Sequence, residues 1–521
     1  MSRLDESKTA VHVLTQPAAT GPGAVEASDP DLAPADSNLL GQVIQAAFGQ
    51  PDPWATMLTE VARLGVAPAG WAGPIPGGES RFAQAISCFL GRQIATLDAM
   101  VSRQLNAILH HECFQRLEAS WRGLRFLVQQ AYREENVRIR VLNVTWKELK
   151  KDLAEAETIE FDQTHFFRLV YSEEFATPGG IPFSVLIGDY FVGAPGEDHR
   201  DDVNVLQQIS QVAAAAFSPF IAAADPHLLG LEDFAQLERP VDAAGLEPKA
   251  RGWQTLRNSD DSRFVGLTLP RILMRLPYAN DGSRADGFCF HEETDGRSSY
   301  LWGSAAWSFG GVLIRAFGQC GWLADIRGFV RDVLGQGLVS SLTVPPLPTD
   351  LPDVAVRFPV ETAIGDLREK DLADLGFIPL CHCMDTRFCV FYSNQSVQKP
   401  KLYDKPTATA NAQISAMLQY ILCASRFAHY LKVLAREKVG AFSEATELES
   451  FLNNWLINYV AAGPSNPIRR ARFPLREAAV RVREMPGKAG SYSCVIHLLP
   501  HSQLDALTAS ISLKTELAPA I

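Results

Sequence analysis

SVQKPKLYDKPTATANAQISAMLQYILCASRFAHYLKVLAREKVGAFSEATELESFLNNWLINYV, residues 396–460, is the stretch on which the reading of this chain turns. From about Thr409 to Val439 the apolar residues Ile414, Met417, Leu418, Ile421, Leu422, Phe427, Leu431, Leu434 and Val439 cover more than one helical face. That spacing predicts a helix buried on several sides. At ~1.5 Å per residue it would run roughly 45 Å, the span of a domain. Lys432, Arg436 and Lys438 precede Gly440, a placement that suits a helix C-terminus. Ser443 suits the N-cap of a second helix. There Leu448, Phe451, Leu452, Trp455, Leu456, Tyr459 and Val460 recur at three- and four-residue steps until Gly463-Pro464 ends the run. Nothing in the stretch arranges a nucleophile, an acid and a base, so it reads as a rigid strut.

Working outward, 521 residues with 47% hydrophobic and 21% charged side chains suffice for two or three domains with large cores. The net charge of −11 argues against a nucleic-acid or anionic-membrane surface, because phosphate binding needs concentrated Lys and Arg. The short basic run Arg469-Arg470-Ala471-Arg472 reads as a solvated or subunit-contact surface. The opening MSRLDESKTAVHV lacks the apolar core of a secretory signal, and Val212–Ala224 is too short for a membrane helix. Nine cysteines without framework spacing fit reduced thiols in a cytoplasmic protein.

Residues 1–79 are interrupted by Pro17, Gly21-Pro22-Gly23, Pro30, Pro34, Pro51, Pro53 and Gly73-Pro74, and are expected to form a flexible arm. Within it, Leu39, Leu40, Val43, Ile44, Ala47 and Phe48 would share one face of a short helix. That face either docks on its own domain or lies in a partner's groove. Residues 80–342 are expected to form a helical and α/β domain. Helical pattern to about Glu135 gives way to a strand at Val137–Val144, then to a capping box at Thr145-Trp146-Lys147-Glu148. A second strand at Ser184–Val192 precedes the helical VNVLQQISQVAAAAF. Strands alternating with helices predict an α/β, more broadly α+β, architecture of mixed sheets and packed helices. Residues 343–521 are expected to carry the long helices and then strands in AAVRVREM, SYSCVIHLLP and ALTASISLKTEL, whose edge asks for a pairing strand.

Candidate chemistry is sparse. Cys381-His382-Cys383 with Cys389 is the best metal candidate, but in a strand the two thiols share a face that His382 leaves, and no second ligand pair follows. His110-His111 diverge on their helix, which favours packing or capping. GQGLVS at 335–340 lacks the glycine pattern of a dinucleotide loop, and Ser304 in LWGSAAW is not in a nucleophile elbow. Asp260-Asp261 with Arg257 and Arg263, and Glu292-Glu293 after His291, suit loop-stabilising or intersubunit pairs as well as acid–base chemistry. No catalytic, cofactor or metal site is expected; a thiol or metal enzyme centred on Cys381, His382 and Cys383 is the competing class.

An ordered series of passages carries a resemblance: SWRGLRFLV (120–128), GDYFV (188–192), SPFIAAA (218–224), WQTLRNSDDSRFVGLTLPRILMRLPY (253–278), YLWGSAAW (300–307), REKDLADLGFIPL (368–380), NQSVQKPKLYD (394–404), RFAHYLKVLAREKVGAF (426–442) and FLNNWLINYV (451–460). Together they resemble the large sheath subunit of type VI secretion systems, the TssC/VipB-type family, from about residue 80 to about 510. The chain departs from the family pattern at Gly179-Gly180-Ile181-Pro182, at Phe329-Val330-Arg331-Asp332 and at Leu499-Pro500-His501.

The resemblance implies a phage tail-sheath-like fold and a mechanical, non-enzymatic role. Its implied partners are the small sheath subunit, copies of the chain itself in a helical sheath, the inner tube protein and the baseplate. It also implies a Clp-class AAA+ unfoldase that grips a short N-terminal helix, here the one bearing Leu39, Leu40, Val43, Ile44 and Phe48. Chain-terminal strands would join sheets of neighbouring subunits. Arg426, His429 and Lys432, polar groups within the apolar helix, would serve internal pairing or neighbour contacts. A sheath-like adaptor that does not polymerise is the alternative within the family.

Overall fold

Strand-forming runs that are apolar on both faces can be buried only between two layers of helix, and this requirement organises most of the chain. The computed structural model describes residues 9–15, 79–132, 134–155, 161–196, 199, 201–239, 243–279, 288–330, 334–345, 357–384, 386–438, 445–461, 467–485, 492–501 and 511–517. Contacts divide the chain into two units. The first comprises Met1–Ala18, Arg116–Leu276 and Leu301–Ile521; the second comprises Ala19–Gln115 and Pro277–Tyr300.

The described elements, in order, are β1 (Thr9–Thr15), α1 (Glu79–Leu109), α2 (Glu112–Ala131), β2 (Val137–Asn143), α3 (Trp146–Glu155) and α4 (His165–Phe167), which continues as π-helical turns through Arg168–Ala176. Next come β3 (Phe183–Val192), α5 (Asp202–Ala216), β4 (Phe220–Ala224), α6 (Trp253–Asn258), β5 (Val265–Leu269), β6 (Ile272–Leu273), β7 (Trp302–Gly303), α7 (Ala306–Cys320) and β8 (Leu338–Val339). The remainder is α8 (Asp366–Asp374), β9 (Phe377–His382), β10 (Cys389–Phe391), α9 (Pro406–Ser415), α10 (Leu418–Lys438), α11 (Ala445–Ile457), α12 (Pro467–Arg472), β11 (Leu475–Glu484), β12 (Tyr492–Pro500) and β13 (Ile511–Leu517).

The first unit holds an eight-stranded sheet ordered β2-β1-β3-β4-β5-β9-β10-β8. Pairing is parallel from β2 to β9 and antiparallel from β9 to β8. Leu186, Phe220, Val265 and Phe377 join one core with Val205, Leu206 and Ile209 of α5. Val185, Ile187, Ile221 and Ile378 join a second core with Leu127 of α2 and Phe309, Val312 and Leu313 of α7. The expected strands at Val137–Val144 and Ser184–Val192 are β2 and β3. The capping box closes as its sequence predicts: Glu148 Oε2 accepts from the Thr145 N–H at 2.8 Å, and Thr145 Oγ1 accepts from the Glu148 N–H at 3.1 Å.

Two expectations change. Thr9–Thr15, inside the stretch read as an arm, is a strand inserted between β2 and β3, in register from Thr9↔Val137 to Thr15↔Asn143. The single helix expected over Thr409–Val439 is two, α9 and α10, broken at Ala416-Met417. The cause is a crossing backbone: the Ser396 N–H donates to the Ala416 carbonyl at 3.1 Å and the Leu418 N–H to the Asn394 carbonyl at 2.9 Å, which takes those groups out of the helical ladder.

α10 remains the strut, now of 21 residues. Leu418 and Leu422 enter the second core and Ile421 the first. Phe427, Leu431 and Leu434 enter a third core with Leu448, Leu452 and Leu456 of α11 and with strands β11 and β12 of the antiparallel sheet β11-β12-β13. One helix thus feeds three cores, which is why its apolar residues cover more than one face.

Candidate assembly surfaces

The quoted family motifs converge inside the first unit. Asp189 of GDYFV is buried, and its carboxylate accepts from Ser120 Oγ of SWRGLRFLV and from Trp307 Nε1 of YLWGSAAW, the latter at 3.1 Å. Burial pushes the carboxyl up to about 6, against the opposing pull of those two donors. Gly123 admits the indole: a Cβ there would lie 2.3 Å from Trp307 Cε2. A second tie joins three further motifs, where buried Arg257 donates to the Asp374 carbonyl at 2.8 Å and to the Val397 carbonyl at 3.3 Å. Gln398 Nε2 reaches the Ser259 carbonyl and Asp260 Oδ1, both at 3.3 Å. These residues fasten loops to the sheet.

The polar groups of α10 are likewise engaged inward. His429 Nε2 bonds to the Ala216 carbonyl at 2.8 Å, between the rings of Phe175 and Phe217. Burial, with Arg426 nearby, pulls its pKa down to about 3, so the imidazole is neutral and Nε2 carries the donated proton. Arg426 Nη2 donates to Tyr430 Oη at 2.7 Å. The Lys432 ammonium sits 3.4 Å from the Phe175 ring centroid, and burial lowers its pKa to about 8. Arg436 donates to the carbonyls of Thr177 and Phe175, both at 2.9 Å, capping the end of the π-helical turns.

The candidates for chemistry are dispersed. Cys381 and Cys389 are buried on β9 and β10, and burial pushes both thiols well up. Cys383 lies beyond the end of β9, and His382 Nε2 is engaged by the Thr386 carbonyl at 2.8 Å. Among the described residues no three His, Cys, Asp or Glu side chains gather as a metal site. In the second unit His110 and Glu292 meet at 3.0 Å, a pairing the sequence did not reveal. The other carboxylate oxygen of Glu292 accepts from the Tyr278 N–H at 2.9 Å, so the pair pins the 288–300 segment to its helix. A cavity of about 670 Å³ in the first unit is lined by Trp322, Tyr430, Trp455 and Tyr459 with Glu134, Glu437, Arg472 and Cys320, whose thiol burial pushes up, away from the thiolate.

The three-stranded sheet has two unlike edges. Along β11 the outward groups are taken by α11: Asn453 exchanges bonds with the N–H and carbonyl of Val480 at 2.8 and 2.9 Å, and Glu449 Oε2 accepts from the Val482 N–H at 2.8 Å. β13 ends the order on the other side. The sequence signal for this cover was two polar residues four apart on α11, Glu449 and Asn453, which a search for apolar periodicity passes over. Leu39, Leu40, Val43, Ile44 and Phe48 lie outside the described residues, as do Gly440 and Ser443.

Buried motifs that tie segments together, a helix shared by three cores and a terminal sheet closed on one side build the interior of a chain whose two halves match tail-sheath families. Residues 91–398 match the family described as EvpB/VC_A0108, tail sheath N-terminal domain, and residues 407–517 match its tail sheath gpW/gp25-like domain. The chain belongs to this family of type VI secretion sheath proteins. It is 41% identical over 433 residues to the type VI secretion system sheath protein TssC1 of Pseudomonas aeruginosa, covering 82% of this chain and 85% of that one. Two solved structures overlap it loosely, each at 11% identity and a TM-score of 0.35. They are the anti-feeding prophage baseplate, covering 76% of this chain and 77% of that one, and its contracted helical sheath, covering 77% and 79%. The junction between the two family domains falls just before α9. Among the described residues no helix is long and apolar enough to cross a membrane.

Proposed function

We propose that this chain is the large subunit of a contractile type VI secretion sheath. It pairs with the small sheath subunit, stacks with further copies around an inner tube on a baseplate, and contracts to propel that tube from the cytoplasm. The observation that carries the reading is the 41% identity to a sheath protein along 82% of the chain, through both family domains. The interior supports it: the polar residues of the shared motifs fasten the fold, as a subunit that transmits force requires. Work in such a sheath comes from repacking subunit interfaces, with no reaction assigned to this chain. The short helix bearing Leu39, Leu40, Val43, Ile44 and Phe48 is the grip for a Clp-class unfoldase that dismantles contracted sheath.

Co-expression with the small sheath subunit and negative-stain imaging test the proposal. Tubules are expected; neither tubules nor a heterodimer would refute it, and a heterodimer without tubules would make the chain an adaptor. Leu40→Asp should abolish unfoldase binding while tubules still form, and unchanged binding would remove that helix from the role.

A further inference from the structure

Four aromatic rings close a circuit on one side of the cavity beside Glu134 and Glu437. Trp322 meets Tyr430 and Tyr459 at centroid distances of 5.9 and 5.0 Å, and Trp455 meets the same two at 5.8 and 4.9 Å. None of these contacts is stacked; the planes are inclined by 48° to 75°. Fully buried Phe427 stacks on Trp322 at 4.0 Å and anchors this wall in the third core. Along α10, Tyr430, Val433, Leu434 and Glu437 fall at steps of three and four, so one helical face passes from ring to aliphatic to acid. At ~1.5 Å per residue its two ends are roughly 10 Å apart. Glu134 enters from the turn before β2, and its carboxyl group rests on α7 where Gly318 has no side chain; a Cβ there would overlap it. Among the described residues no ion pair reaches either carboxylate. α10 already seats its own cations on rings: Arg426 lies 4.6 Å from the Tyr430 centroid and Lys438 5.4 Å from that of Phe451. Trp322 and Trp455 seat none among the described residues.

We propose that this cavity binds an organic cation with an alkyl body, an alkylammonium or an alkylguanidinium. Indole faces and carboxylates both favour positive charge, and Val433 and Leu434, lying between ring and acid, take the methylenes. Arg472 lies close enough to Cys320 to oppose the rise that burial and Asp325 impose on that thiol. The described lining thus holds two carboxylates against one guanidinium, an excess of negative charge. An anion would face both carboxylates, and a neutral ligand would leave them unmatched. About 670 Å³ is the size of a small-molecule pocket, with room for a body of several carbons behind the charged head. The same head groups occur on free amines and guanidines and on Lys and Arg side chains of another chain, two sources that assembly separates.

The test is calorimetric titration of the isolated full chain with n-butylammonium and n-propylguanidinium, with n-butanol as the uncharged counterpart. Dissociation constants of about 1 mM are expected for cations this small, with n-butanol at least about tenfold weaker. Glu134→Gln and Glu437→Gln should each weaken the cations about three- to fivefold, and the double variant should lose most of the salt dependence. Gly318→Ala should act like Glu134→Gln by displacing that carboxylate, although alanine suits the helix better than glycine. Trp455→Leu keeps an apolar surface and should weaken the cations about fivefold while leaving n-butanol within about twofold. Glu437 is exposed, so Glu437→Gln with an unchanged urea midpoint separates lost binding from lost fold. No binding, or equal affinity for cation and n-butanol, overturns the proposal. So does unchanged affinity in the double variant, which would place the cation elsewhere. Binding that persists in assembled tubules supports the site with a free cation as occupant, and binding lost on assembly supports it with a Lys or Arg of another chain there. Failure to form tubules bears on the sheath reading alone, because the titrations use the isolated chain.

Discussion

Two helices, α10 and α1, are both long and both apolar, and they solve opposite problems. α10 buries apolar side chains in three cores and directs Arg426, His429, Lys432 and Arg436 onto rings, carbonyls and a tyrosine hydroxyl of its own chain. α1 presents an apolar seam, Leu90, Ile94, Leu97, Val101 and Ile108, outward. A residue's hydrophobicity alone does not separate the two cases; its periodicity does. Apolar residues spread round a helix are the mark of burial on several sides, and a narrow 3.5-residue seam leaves the rest of the helix to polar residues.

The sharpest way to break that contrast is a matched pair of truncations. Leu422→Ala in α10 should cost about 3–5 kcal/mol, the cost of a cavity in a closed core. Leu97→Ala in α1 should change the isolated chain by less than about 0.5 kcal/mol. Urea unfolding of the two variants reads both; equal losses would erase the distinction. Next, Asp189→Ala should cost about 1–3 kcal/mol, since it leaves the buried Trp307 N–H without its acceptor, while the Ser120 hydroxyl keeps the Arg116 carbonyl at 3.0 Å.

Acidity sharpens the comparison further. The folded-state pKa of Asp189 is raised from 3.8 to about 6. Between those values the folded chain holds a proton that the unfolded chain releases, so the stabilisation present below that window is lost as pH rises through about 6. Asp189→Asn should flatten that decline. His429 acts with the opposite sign: its pKa falls from 6.5 to about 3, the unfolded chain takes up the proton first, and stability drops as pH falls through that window. His429→Gln should remove that drop in urea midpoints measured between pH 7 and 4, and a variant with the parent's slope would show that the imidazole is not sealed. The smallest effect is expected at Asn453→Ala, about 1 kcal/mol, with faster hydrogen exchange at Val480.

Much of this was legible in the sequence because it is local. β2, β3, the capping box at Thr145 and the strands of the terminal sheet follow from patterns within ten or so residues. What was missed depends on distant chain. β1 inserts beside β2 across more than a hundred residues, and the break at Ala416 exists only because Asn394–Ser396 cross there. The hub at Asp189 was visible as three motifs without a reason; only folding shows that Ser120 and Trp307 meet the same carboxylate.

The cover that Glu449 and Asn453 lay along β11 has a geometric consequence. The N–H and carbonyl of Val480 and the N–H of Val482 are already taken, so this edge has little left to offer to an added strand.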